Sequence, residues 1–600
     1  MPAFKTRRAK LLIVLLVLSI LILWQPWSGF EPKLRGVKMG ADFAGGTQMV
    51  FELQSYRVSL QVDSAGENLT GYIIASLESG LGVKANLISY DSSSGKAVFS
   101  INGRLTEPML QKAVGDVATV VEVEAHLEKN ELEQAILRLR SRVDPYELLD
   151  VRLRPYGETS IIFEASGVDP NRARDLLGNQ GKLEMFLDNG LVLDGDEIEG
   201  LFSPVSAEGL AYVPISLTTA GTEMLKKACN GKADHPIVIY LDRPYDAILV
   251  FDNQILEESS RLFYDERSRE FYVTRETGIA VSTYYISVSA VPVLRDEISE
   301  EIENYLMGQV SDKARIILLG SKEDFSPGLI ELLSTNYRLE MITRRDGESV
   351  DDWILRACGV QSAPVVTQTM AAGGVTRDLT IPFVGRTQAL SLIKAQNFYR
   401  ALAYRLDFPI AFVQESSLSP VFGPSFKLEL MIPVGLTILL AFVLIYLAFS
   451  RAKAALTIIA FLFVDTLLTL AGISAFGLPL GLPAVSGLLL VVLSGLNQHI
   501  VITNELLKGI QPQEKVSVGW RTSRALSISY LASFTILLIS ILIALLGFGP
   551  LRIFAIVSAV GMVIAIILTR PVFARVMESV LSERPKIVAP SSAKSEQKQQ

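Results

Sequence analysis

The sequence predicts a multi-pass α-helical membrane protein with a large α+β domain outside the bilayer, and three observations lead there. Over 600 residues the hydrophobic fraction is 49% and the charged fraction only 20%, giving a mean hydropathy of +0.35; globular chains carry about a quarter charged residues. The apolar residues are concentrated in one run near the N-terminus and five beyond residue 427. Residues 28–427 contain no comparable run and are long enough for two or three subdomains. The net charge of −7 argues against a nucleic-acid partner, which calls for a basic stripe to displace counterions from phosphate.

The first predicted span covers 11–27, after a basic N-terminus (1–10) with Lys5, Arg7, Arg8 and Lys10. A signal peptide shares the positive start and apolar middle. In place of a small-residue cleavage site, however, this chain continues Trp24-Gln25-Pro26-Trp27, and interfacial tryptophans suit a retained anchor. The other predicted spans are 428–449, 454–475, 484–503, 528–547 and 551–573, each near the ~20 residues needed to cross ~30 Å of hydrocarbon.

Lys and Arg in the short flanks set the expected orientation. Arg451 and Lys453 lie between spans two and three, and Lys508, Lys515, Arg521 and Arg524 between four and five. Arg575, Arg584 and Lys586 follow span six. The alternate connections hold no basic residue over 476–483 and only Arg552 near 547–551. Both termini are therefore expected in the cytoplasm and residues 28–427 outside it. The tail 574–600 ends in a Ser-, Lys- and Gln-rich stretch from Pro585 with the composition of a disordered segment.

The outer domain reads as strand, helix, strand at 97–101, 107–117 and 119–124, again at 160–164, 171–177 and 182–187, and again at 316–319, 327–333 and 337–342, the alternation of α+β or split β-α-β units. Gly167-Val168-Asp169-Pro170 and Gly423-Pro424 mark joints, and no exact tandem repeat is visible. No phosphate loop, H-E-x-x-H or C-x-x-C is present. His126, His235 and His499 make no zinc signature, so no metal site, cofactor or catalytic residue is expected. Cys229 and Cys358 leave a single bond open in an oxidising compartment. Asn68-Leu69-Thr70 is a weak glycosylation sequon.

After the first span, Gly40-Ala41-Asp42-Phe43-Ala44-Gly45-Gly46-Thr47-Gln48 resembles the glycine signature of the SecD/SecF family of protein-export membrane proteins. Ile136-Leu137-Arg138-Leu139-Arg140-Ser141-Arg142 followed by Glu164-Ala165-Ser166-Gly167-Val168-Asp169 is similar to the next family elements. Gly547-Phe548-Gly549-Pro550-Leu551-Arg552-Ile553-Phe554-Ala555 and Thr569-Arg570-Pro571 resemble later ones, the last in the archaeal branch. The resemblance implies an RND-like six-helix bundle with ferredoxin-like units outside. It also implies work beside a SecY-type channel with a SecF-like partner, drawing exported unfolded polypeptides outward with the proton gradient. On the residues alone, Gly45-Gly46 supplies a turn or close approach that a Cβ would forbid, and Asp42 can accept from nearby backbone N–H groups.

Span four contains Ser494-Gly495-Leu496-Asn497-Gln498-His499-Ile500-Val501-Ile502-Thr503-Asn504-Glu505. This resembles the family's intramembrane element, in which the resemblance assigns the coupling proton to an Asp. Here Asn497 stands at that position, and an amide has no proton to exchange near neutral pH. His499, as the usual physiological switch, and Asp465 in span three, as a carboxylate in the apolar layer, are the groups able to change charge. Depth counting sets Asp465 and Asn497 within ~6 Å of one level at 1.5 Å per residue, so Asp465, Asn497, Gln498 and His499 are expected to form one patch. Polar glue between helices and a displaced proton relay both remain open for it. Three functions compete: an export subunit, an uncoupled structural subunit favoured by Asn497, and an RND-type small-molecule exporter.

Overall fold

In the computed structural model the described residues are 7–24, 37–62, 67–81, 83–166, 170–207, 209–277, 280–293, 299–309, 313, 315–420, 426–508 and 518–582. Lys5, Trp27, Gly167–Asp169, Gly423-Pro424, Lys515, Arg584 and the tail from Pro585 lie outside them.

Six long helices form a bundle: Arg7–Trp24, Phe426–Phe449, Ala452–Ala475, Leu482–Lys508, Val518–Leu546, and a sixth that runs Gly549–Ile564, a π-helical turn Ala565–Thr569, then Arg570–Ser582. They are bundle helices one to six below. All six contribute to one apolar cluster, through Leu12, Ile445, Ile458, Ile502, Ala525 and Phe573 among others. Leu436, Leu447, Leu531, Leu538 and Leu545 point outward, as they must where lipid tails replace water. Among the described residues Ala452–Ala475, Leu482–Lys508, Trp520–Leu546 and Gly549–Ser582 are long and apolar enough to cross a membrane, and Gly435–Phe449 is a shorter apolar helix. Helices four, five and six run past the apolar runs at their polar ends. Hydropathy marks the hydrocarbon layer, whereas a helix continues for as long as its backbone bonds do.

The α+β domain between the first two bundle helices, called the outer domain after its expected side, is built by insertion. Strands Lys84–Asp91, Lys96–Asn102, Ser55–Val62 and Ala118–Ala125 pair antiparallel in that spatial order. With helices Glu67–Leu81 and Glu107–Val114 they make a β-α-β-β-α-β ferredoxin-like unit. Strands Val151–Tyr156, Ser160–Ala165, Gly46–Leu53 and Ile410–Leu418 repeat that order, with helices Lys129–Val143 and Pro170–Leu177. The first unit is thus inserted into the second between Gly46–Leu53 and Lys129–Val143. A further α+β region is inserted before Ile410–Leu418. In that region strands Ala280–Val293, Ala247–Asp252, Arg315–Leu319 and Arg338–Ile342 run parallel.

All three expected strand-helix-strand groups are present as elements. Lys96–Asn102 and Ala118–Ala125 form a split unit, with Ser55–Val62 between them. Ser160–Ala165 and Leu183–Leu187 belong to different sheets, and Arg315–Leu319 and Arg338–Ile342 pair side by side. Cys229 and Cys358 are buried, unbonded and in separate cores.

Arg142 joins the host unit to the region inserted before Ile410–Leu418. Fully buried at the end of helix Lys129–Val143, its guanidinium donates to the carbonyls of Leu176 (3.2 Å), Gln180 (2.8 Å), Ala401 (3.2 Å) and Tyr404 (2.7 Å), and to that of Asn179. These are the C-terminal ends of helices Pro170–Leu177 and Gln388–Ala403 and the turns after them, where helix carbonyls have no intrahelical partner. Burial pulls the guanidinium down to about 10, which leaves it charged at neutral pH.

A second buried network joins the units. Arg315 pairs with Asp246 at 3.0 Å and with Glu340, and Arg104 of the first unit lies 3.6 Å from Asp246 while donating to the Ile410 carbonyl at 2.8 Å. Burial pushes both carboxyls up, but Arg315 and Arg104 outweigh it, and Asp246 and Glu340 end below the usual carboxylate range. A carboxyl whose folded pKa lies below its unfolded value contributes stability that is complete above the unfolded value, about 4, and is lost as the pH falls through the folded one. Arg315→Met leaves buried Asp246 with Arg104 alone and removes the nearest cation from Glu340, and is expected to cost about 3–5 kcal/mol at pH 7. The loss should shrink toward pH 4 as the carboxyls take up protons. Thermal melts of the full chain in detergent across that range check it, and a gap independent of pH would contradict it.

Candidate functional site: an intramembrane polar cluster and a glycine joint

Bundle helix three turns Asp465 inward and helix four turns His499 toward it. The carboxylate is 2% exposed, the imidazole 0%, and His499 Nε2 lies 3.8 Å from Asp465 Oδ2. Apolar residues on the other faces of both helices set this orientation, since outward rotation would trade them for two polar groups in hydrocarbon. Aromatic rings sheathe the imidazole, with Phe573 at 4.1 Å and Phe461 at 6.2 Å between centroids. At Gly495 a Cβ would stand 3.2 Å from Asp465 Oδ2, so the glycine of the quoted motif makes room for the carboxylate. Neither oxygen of Asp465 and neither ring nitrogen of His499 has a hydrogen bond of normal geometry.

Gln498 faces another way and is satisfied. Its Nε2 donates to Ser494 Oγ at 2.9 Å, and its Oε1 accepts from Ser529 Oγ and Ser533 Oγ of helix five, each at 2.8 Å. Arg570 Nη1 of helix six donates to the same Ser533 hydroxyl. Asn497 is exposed on the outside of the bundle and takes no part, which corrects the expectation of one four-residue patch. At 3.6 residues per turn, positions 497 to 499 fan over about 200°, so three consecutive side chains do not meet one neighbour.

Ser529, Ser533 and Arg570 were not among the expected site residues. Arg570, fully buried, was visible as a guanidinium near the end of an apolar run. The two serines, four apart in a Leu- and Ile-rich helix, gave a fainter signal. The π-helical turn Ala565–Thr569 directly before Arg570 adds a residue to the turn and aims the side chains that follow; such turns occur often at functional sites. No periodicity in the sequence announces it.

The glycine motif lies at the root of the outer domain. A short helix, Ala41–Ala44, ends at Gly45 (φ +72°), and strand Gly46–Leu53 begins at once. A Cβ on Gly45 would meet the Leu418 carbonyl oxygen at 2.3 Å, and one on Gly46 the Ala165 oxygen at 2.1 Å. The pair packs between two strands of one sheet, as the structural reading of the motif expects. Asp42 accepts from Arg152 at 3.0 Å and from the Leu482 N–H at 3.3 Å, and Asp150 accepts from the Ala41 N–H at 2.6 Å. The Gly40 N–H donates to Leu480 O and the Leu480 N–H to Lys38 O. The motif therefore fastens the outer sheet to the connection between helices three and four.

These features define a class: a polytopic membrane protein whose bundle holds a buried titratable pair midway along its helices and bears nested ferredoxin-like units on one end. The sequence profile of the protein export membrane protein SecD/SecF, C-terminal, matches residues 400–577. Over 490 residues the chain is 25% identical to the protein-export membrane protein SecD of Thermococcus gammatolerans, covering 78% of this chain and 92% of that one. It is 22% identical over 536 residues to SecD of Methanothermobacter thermautotrophicus, covering 88% and 96%. It is 23% identical over 610 residues to the protein translocase subunit SecD of Syntrophobacter fumaroxidans, covering 94% and 96%. A crystal structure of SecDF in its super-membrane-facing form aligns with a TM-score of 0.48 at 15% identity, covering 96% of this chain and 57% of that one, so the present chain spans little more than half of SecDF. By sequence the chain is similar to the SecD/SecF family of protein-export membrane proteins in its last third and to SecD proteins over most of its length.

Gly45→Ala is expected to force an L-residue into a backbone region (φ +72°, ψ −157°) open essentially to glycine alone, at about 1–3 kcal/mol, together with the clash against Leu418 O. Proteolysis of the variant should start at the root of the outer domain, near residues 38–46, under conditions where the native chain resists. Equal resistance would remove the joint as a structural requirement.

Proposed function

We propose that the chain is a SecD-type accessory subunit of the Sec protein-export machinery. It works in the cell membrane with a SecF-like partner beside a SecY-type channel and assists exported polypeptides across. In this reading six helices span the bilayer, both termini are cytoplasmic, and residues 28–427 meet the emerging chain outside. End-to-end similarity to proteins named for that role supports it, as does the basic-residue asymmetry of the short connections.

The proton gradient acts through Asp465 and His499. The observation that carries this is that Asp465 and His499 face each other at 3.8 Å without a hydrogen bond of normal geometry, with the charge of Arg570 acting on both, whereas Gln498, Ser494, Ser529 and Ser533 bond to one another as helix glue does. A buried pair kept for structure alone is expected to be hydrogen-bonded. One proton moving through 100 mV supplies ~2.3 kcal/mol, and each pH unit of gradient adds ~1.4 kcal/mol. That is sufficient to tip two conformations of nearly equal energy. A second reading, an uncoupled structural subunit, is favoured by Asn497, an amide at the family's acidic position that faces out of the bundle.

Asp465→Asn and His499→Gln separate the two. Proton coupling predicts that each lowers gradient-dependent export at least tenfold, with membrane insertion and copurifying partners unchanged, while export without a gradient stays at its basal level. Export at the native rate in both variants would leave the structural reading.

A further inference from the structure

Between the outer sheet and the bundle lies a short tongue, residues 144–150, that no motif in the sequence singles out. Asp144 folds it, accepting from the N–H groups of Leu148 and Leu149 at 2.9 Å each. Leu148 packs against the outer ends of two helical hairpins at once: Ile473, Leu478 and Ala484 of helices three and four with the connection between them, and Ile553 and Val557 of helix six. Glu147, at the tip, holds a left-handed backbone conformation (φ +54°), unfavourable for a residue with a Cβ and sustained only where surroundings impose it. Here its Oε2 accepts from the Gly549 N–H at 2.7 Å, the first N–H of helix six, and Arg552 donates to the Tyr146 carbonyl at 2.9 Å.

The two attachments are unequal. On the side of helices three and four, a backbone bridge between Met39 and Leu480 is flanked by Asp42 and Asp150, whose carboxylates are 5% and 15% exposed. On the side of helices five and six, besides the Leu148 packing that both sides share, there are two hydrogen bonds and a 3.7 Å Glu147–Arg552 pair, whose side chains are 27% and 26% exposed. Ion pairs and hydrogen bonds open to water are worth far less than buried ones. The same hairpins carry the intramembrane groups, with Asp465 and His499 on helices three and four and Ser533 and Arg570 on five and six. Any shift of one hairpin against the other must part the tongue from one of them.

We infer that Glu147 is a releasable latch: the outer domain stays fixed to helices three and four, and its tongue lets go of the N-terminus of helix six when the hairpins move. Glu147 is a positioning residue in this scheme, acting on the bundle through Gly549 and Arg552. Its service to export rests on the function proposed above, whereas the latch itself is a property of the chain.

Spin labels test it in the full chain in lipid nanodiscs. One pair sits across the latch at exposed Tyr146 and Phe548, and a control pair across the fixed side at exposed Lys38 and Phe476. The latch pair should show a second, longer distance, and Glu147→Ala should raise its share at least threefold at an unchanged melting temperature. Glu147→Gln, which keeps an acceptor oxygen for Gly549, should fall between, and the control pair should keep one distance throughout. A single distance across the latch in every variant, or equal opening of both pairs, overturns the inference. Neither reading depends on export, so a chain that opens as described but leaves export unchanged would count against the proposed function and not against the latch.

Discussion

Inside the bundle no water is at hand to satisfy a polar atom, so every polar side chain there has to be answered by another or remain costly. That constraint arranges helices three to six. Gln498 sits where two serines of helix five can both donate to its carbonyl oxygen while its amide donates to Ser494, and Arg570 enters the same layer through Ser533. Asp465 and His499 stand apart from that solution, sheathed by Phe461 and Phe573. The proposed coupling asks for groups that are not locked into bonds only one protonation state makes, and Asp465 and His499, under the charge of Arg570, have no hydrogen bond of normal geometry.

The outer domain obeys a different constraint, imposed by nested insertion. Each inserted unit leaves and re-enters its host between consecutive elements, so the host sheet is completed only when Ile410–Leu418 returns to pair with Gly46–Leu53. Contacts between units are then what makes one body of the whole. Arg142, which ties its own unit's helix Pro170–Leu177 to the inserted helix Gln388–Ala403 through five backbone carbonyls, and the Arg104–Asp246–Arg315–Glu340 network perform that task. Both place arginine where planar, multiple donation matters. The glycine joint and the tongue carry this body on the bundle at two points.

Much of this was legible in the sequence. Apolar runs separated by basic connections located the helices of the bundle, because hydropathy reads the solvent directly. Alternation found the strands, as at Lys96–Asn102 and Ser160–Ala165. It did not show which strands pair: a two-residue period records that one face is buried, not against what, so the interleaved Ser55–Val62 and the sheet boundary after Pro170–Leu177 were invisible. In the membrane, Asp465 and His499 stood out as titratable residues among apolar ones. Asn497 was grouped with them because depth along a helix is countable whereas rotation depends on packing. The tongue escaped notice because Glu147 and Asp150 are ordinary loop residues until their partners, some 110 to 400 positions away, are known.

The account stands on a helical frame in the bilayer with its α+β body on the outer side, and sidedness tests that most directly. Cysteines introduced one at a time at exposed Ser93 of the first ferredoxin-like unit and exposed Arg451 between helices two and three would be probed on intact cells with a membrane-impermeant maleimide. Cys229 and Cys358 are both buried, which keeps the background low. The account predicts labelling of Ser93→Cys from outside and of Arg451→Cys only after the membrane is opened. Labelling of Arg451→Cys on intact cells, with Ser93→Cys protected, would contradict it.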